Sequence, residues 1–91
     1  MNLRVIKKDV NYLIDEFVQD ALISMSFTDE DTKIEQIVDL TNEALELSDE
    51  TLFKINRPDG VKRTYYRNLM DALLSSLDAL YDKLSELVAR K

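Results

Sequence analysis

Seven apolar side chains near the C-terminal end, Tyr66, Met70, Leu73, Leu77, Leu80, Leu84 and Leu87, recur at alternating spacings of four and three with no Pro or Gly among them. Such spacing places all seven on one face of a long α-helix. A helix with a leucine seam is not stable alone in water, so at least two further segments, or another chain, must cover it. Punctuation in the sequence says where those segments begin and end. The single Gly and the single Pro both fall in Asn56-Arg57-Pro58-Asp59-Gly60, a turn in which Pro presets the first corner and Asp and Gly tolerate the rest. Ser26-Phe27-Thr28-Asp29-Glu30-Asp31 reads as the other break, with Thr28 as N-cap, Asp31 completing a weak capping box, and acids in the first turn where the helix dipole favours them.

Two breaks predict three helices, at about 3–26, 29–56 and 60–89. Short connections favour an all-α, antiparallel up-down-up three-helix bundle. The first helix repeats at Leu3, Ile6, Val10, Leu13, Phe17 and Ala21, flanked by Ile14, Val18, Leu22 and Met25, a width suited to two neighbours. In the second, Ile34, Val38, Thr41, Leu45, Ser48, Leu52 and Ile55 keep helical spacing but pass through polar positions. Ser48-Asp49-Glu50-Thr51 could cap a fresh helix there. The continuous helix is preferred, because the apolar phase does not shift across Ser48.

A chain of 91 residues is one domain, 1–91, just below the usual length of about 100–200 residues. Its 45% hydrophobic content can supply a core that buries roughly two-thirds of the unfolded surface without disulfide or metal staples. The sequence contains no Cys and no His. That removes disulfides, thiolate chemistry, Ser-His pairs, ordinary zinc and di-metal sites, and any near-neutral proton switch. Charges interrupt every apolar run in Met1-Asn2-Leu3-Arg4-Val5-Ile6-Lys7-Lys8-Asp9, so this start reads as neither a signal peptide nor a membrane span, and a cytoplasmic location is expected.

Charge is distributed unevenly. In an up-down-up bundle the start of the first helix lies beside the hairpin joining the second and third. Residues 1–12 and 52–68 hold Arg4, Lys7, Lys8, Lys54, Arg57, Lys62, Arg63 and Arg67 against Asp9 and Asp59, while the remainder holds four basic and sixteen acidic residues. The molecule should therefore be a dipole. Lys54 and Arg57 sit at a helix C-terminus, where cations are favoured, but Arg4, Lys7, Lys8, Lys62 and Arg63 fall in first turns, where the helix dipole disfavours them. Free backbone N–H groups with nearby Lys and Arg can hold an anion, and Tyr65 and Tyr66 could stack on a base. Arg4, Lys7, Lys8, Arg57, Lys62, Arg63, Tyr65 and Arg67 are thus candidate anion or partner contacts. Ion pairs, within the molecule or to a protein partner, compete with that reading, because overall acidity opposes nucleic-acid binding.

Asp39, Glu43, Glu46 and Glu50 follow one helical stripe and read as a solvated face, with no metal or other cofactor expected. Asp29-Glu30-Asp31 lacks the alternating ligands and Gly of a calcium loop. A slim bundle offers little concavity for paired-carboxylate catalysis, so no enzyme is expected. The third helix carries a second row, Leu69, Leu74, Tyr81 and Val88. Either both rows face the other helices, or Leu74, Leu77, Leu80, Tyr81, Leu84, Leu87 and Val88 continue into a homodimer seam or partner groove.

Two resemblances bear on this. The run Asn2-Leu3-Arg4-Val5-Ile6-Lys7-Lys8-Asp9 leading to Tyr12-Leu13-Ile14-Asp15-Glu16-Phe17, the Asn56–Gly60 turn, and the closing Leu77-Asp78-Ala79-Leu80-Tyr81-Asp82-Lys83-Leu84-Ser85-Glu86-Leu87 resemble small all-helical bacterial proteins with no assigned function, which implies a helical bundle and no activity. Glu16-Phe17-Val18-Gln19, then Pro58-Asp59-Gly60, four residues and Tyr65-Tyr66, is similar to a stretch of the colicin immunity proteins. In that family a short acidic helix ending in two tyrosines binds a nuclease, which would make Tyr65 and Tyr66 partner anchors. Here Val61-Lys62-Arg63-Thr64 is basic where the family is acidic, and the tyrosines open a long helix, so the match is read as coincidence. The expectation is a non-enzymatic protein-interaction or structural module, with self-association through the third helix, no membrane partner, and phosphate or nucleic-acid binding at the basic pole as the alternative.

Overall fold

The computed structural model describes residues 3–56 and 62–89. They form three helices, α1 (Leu3–Met25), α2 (Asp31–Ile55) and α3 (Lys62–Ala89), each in contact with the other two. The molecule is a rod of 47 × 18 × 15 Å, and its long dimension matches the roughly 42 Å of a 28-residue helix at 1.5 Å per residue. α2 runs unbroken through Ser48. The turn residues 57–60, and with them Arg57, lie outside the described residues.

The end of α1 closes by explicit hydrogen bonds. There the N–H groups of Ser26, Phe27 and Thr28 donate to the carbonyls of Ile23, Ser24 and Met25, and the Ser26 hydroxyl donates to the same Ile23 carbonyl. These tightened turns satisfy carbonyls that the helix leaves without partners, and no glycine is needed. Thr28 does not cap α2. Its Oγ1 accepts from the Glu30 N–H at 3.2 Å, and Glu30 itself takes the cap position without a side-chain bond, so the helix starts at Asp31. The short Thr side chain closes a local turn two residues ahead instead of reaching the helix.

One core runs the length of the rod. α1 contributes Ile6, Val10, Ile14, Phe17 and Ala21, and α3 contributes Tyr66, Leu73, Leu77, Leu80 and Leu84, with Met70 and Leu87 half-buried. The α3 seam is thus mostly consumed within the molecule. Of the residues assigned to a dimer row, Leu77, Leu80 and Leu84 are buried, Tyr81 and Leu87 are half-buried, and only Leu74 and Val88, 44% and 46% exposed, face outward.

α2 corrects the expected register. Its buried face is Ile37, Leu40, Ala44, Ser48, Thr51 and Ile55, one position away from most of the Ile34–Leu52 row, where Val38 and Leu45 are 40% and 47% exposed. Ala44, Ser48 and Thr51 are small enough to let two helix backbones approach, and α1 and α2 make the most extensive helix contact. The space between α1 and α3 is filled by rings instead: Phe17 meets Tyr81 edge-on with centroids 4.9 Å apart, the orientation that aromatic quadrupoles favour. In α1, Leu3 and Leu22 also fall outside the core, since a row this wide exceeds what two neighbours cover.

Candidate functional site: an acidic groove and a basic pole

Two surfaces stand out. The first lies between α2 and α3. Because Ala44, Ser48 and Ile55 face the core, the residues at Asp39, Glu43, Glu46 and Glu50 fall on the flank of α2 that borders α3. Two adjoining hollows of about 320 and 280 Å³ run along this flank and share Glu43 and Lys83. Leu40, Leu47, Leu80 and Leu87 form their apolar floor, and Ser76 and Ala79 keep the α3 side low. Asp39, Glu43, Glu46, Glu50 and Glu86 stand on the rim against a single cation, Lys83, whose Nζ lies 4.0 Å from Glu43 Oε1 across the groove. Both members of that pair are about half exposed, so it contributes little to stability. The carboxylates are strung along the groove: among the described residues no group of three or more His, Cys, Asp or Glu side chains is placed to hold a metal ion.

The acidic stripe was legible in the sequence, but the groove was not. It exists only because the α2 stripe meets the small residues and leucines of α3, a pairing of faces that periodicity in one helix cannot supply.

The second surface is the basic pole. Arg4, Lys8, Lys54, Arg63 and Arg67 are exposed and Lys7 is half-buried; Lys62 opens α3, and its side chain lies outside the described ones. Among the described residues, the side chains of Lys7, Lys8, Lys54, Arg63 and Arg67 make no ion pair, so intramolecular pairing does not account for them. Three apolar side chains, Leu3, Val5 and Phe53, are exposed at the same end.

Tyr65 and Tyr66 have a structural task there. The Tyr65 hydroxyl donates to the Lys54 carbonyl at 2.9 Å and the Tyr66 hydroxyl to the Ile55 carbonyl at 3.2 Å, while the Asn56 N–H donates to Leu52. The tyrosines therefore cap the last turn of α2 from the first turn of α3, in place of the glycine cap usual at such ends. Their rings pack edge-on against each other at 5.6 Å, with Tyr66 in the core.

A third hollow, about 300 Å³, lies under the exposed Phe27 beside Leu87 and Val88. Its charges are mixed, and Glu30 and Lys33 are already 3.5 Å apart. Among the described residues, Tyr81 and Tyr12 are the titratable groups with displaced affinities. Burial first, then the Asp20 and Glu16 carboxylates, hold the Tyr81 phenol above its usual value; Tyr12, donating to Glu16 at 3.0 Å, is raised mainly by that bond.

No protein-family model, curated protein or solved structure matches this chain. What fold and site define is a class: a three-helix bundle with an acidic, apolar-floored groove on one flank and a basic end. No helix among the described residues is long and apolar enough to cross a membrane.

Proposed function

We propose that the protein is a non-enzymatic interaction module whose α2–α3 groove receives a basic, amphipathic helical segment of a protein partner. One observation carries this reading: five carboxylates and one lysine line the rim of a groove whose floor is leucine. The stretch from Gln36 to Glu50 spans roughly 21 Å of helix axis, enough for about four turns of a guest helix. A helix laid there would complete a four-helix arrangement, with its apolar side on Leu47 and Leu87 and its cations toward the rim. Charges of this kind set orientation and rate of encounter, and the buried apolar contact sets lifetime.

The alternative, an anion or nucleic-acid site at the basic pole, retains its cations. Its stacking element is less available, because both tyrosines are committed to the end of α2.

The test uses a synthetic amphipathic peptide with one Lys face and one Leu face, titrated calorimetrically. Glu46→Lys with Glu86→Lys should weaken binding by about tenfold or more, the equivalent of roughly 1.4 kcal/mol. Asp15→Lys with Asp71→Lys, an equal charge change on exposed positions away from the groove, should leave most of the affinity. Equal losses in the two variants would reduce the effect to net charge and remove the groove from the account.

A further inference from the structure

Resting on that reading of the groove, we infer that one occupant is a second copy of this chain, which inserts its basic pole, the exposed Arg4, Lys8, Arg63 and Arg67 with the exposed Leu3 and Val5 at the same end, into the acidic α2–α3 groove. The two surfaces match in both respects that matter. One is cationic with exposed apolar side chains, and the other is anionic with an apolar floor. Within one molecule the pole cannot fill the length of the groove: Arg67 and Lys83 belong to the same helix and are held roughly 24 Å apart along its axis. The absence of ion pairs to Lys8, Arg63 and Arg67 among the described residues leaves those charges available to another molecule.

The contact is heterologous, since each copy offers one surface and receives on the other. Unlike a two-fold dimer it leaves a free pole and a free groove at the ends of every assembly, so growth is open unless the geometry closes a ring. The rim and pole charges are exposed, so salt screens the attraction, over about 10 Å at 0.1 M ionic strength and about 3 Å at 1 M.

The experiment is molar mass by light scattering on the full chain over a concentration series at low and high salt, with two variants checked for helicity by circular dichroism. Glu46→Lys with Glu86→Lys disables the groove and keeps the pole; Lys8→Glu with Arg67→Glu disables the pole and keeps the groove. The wild type should grow in mass with concentration at low salt and revert toward 10.6 kDa at high salt. Each variant alone should stay monomeric, and an equimolar mixture should give a one-to-one dimer and nothing larger, because only one productive contact remains. Monomeric wild type at every concentration, assembly of either variant alone at the wild-type level, or a mixture that stays monomeric would overturn the inference. The groove reading is judged separately: a Lys/Leu peptide that still binds wild type and fails on the groove variant preserves it, and equal binding to both removes it as well.

Discussion

Two neighbouring positions on α2 discriminate between the hydropathy of its sequence and the packing of its fold. Ile37 is 1% exposed and Val38 is 40% exposed, although the more regular apolar row runs through Val38. Ile37→Ala deletes three buried carbons, worth about 0.8 kcal/mol each in transfer free energy, and leaves a cavity between α2 and its neighbours. A cost of about 3–4 kcal/mol is expected. Val38→Ala deletes two carbons that are only partly removed from water, and alanine is the better helix former by about half a kcal/mol. Its net effect should lie within about 0.5 kcal/mol of zero. Urea titration followed by circular dichroism measures both. In a domain of this size each kcal/mol corresponds to about 4–8 °C in melting temperature, so the pair should separate by more than about 10 °C. Similar costs, or a larger one for Val38→Ala, would refute the register.

Other perturbations probe the remaining joints. Ala44→Leu should cost about 1–3 kcal/mol by overpacking where α1 and α2 approach, read by the same titration. Tyr66→Phe leaves the buried Ile55 carbonyl without its donor and should cost about 1 kcal/mol, while Tyr65→Phe, whose hydroxyl bond is exposed, should cost less. Leu80→Glu places an unpaired carboxylate at a buried core position and should destabilise by more than about 3 kcal/mol; wild-type stability would contradict the α3 seam. Because the folded state holds the Tyr81 proton more tightly than the unfolded state does, its contribution is fully present below the ordinary tyrosine value of about 10 and is lost as pH rises through the higher folded value. Tyr81→Phe should therefore flatten part of the alkaline decline in stability seen by denaturant titration above that pH.

Helix number and ends were readable because they rest on local chemistry: the clustered turn residues at 56–60 and the polar run after Met25 leave few other places to break. The α3 seam was readable because leucines at strict spacing tolerate no other face. α2 misled, since its inner face uses Ala44, Ser48 and Thr51, whose value lies in close approach, a property of the pair that hydropathy of one helix does not carry. The role of Tyr65 and Tyr66 was hidden for a similar reason. Their partners lie eleven residues back and come within reach only when the hairpin closes. The basic pole followed from topology plus charge, and among the described residues its Arg4, Lys8, Lys54, Arg63 and Arg67 are exposed. The groove required knowing which flank of α2 borders α3.

The groove's role as a docking surface is tested most directly by amide chemical-shift mapping on isotope-labelled protein titrated with the Lys/Leu amphipathic peptide. The largest shifts should cluster at Glu43, Glu46, Leu47, Ala79, Leu80 and Lys83, on facing flanks of α2 and α3. Shifts spread evenly over every acidic surface, or concentrated on the outer α1–α2 residues Leu22, Val38 and Leu45, would contradict it.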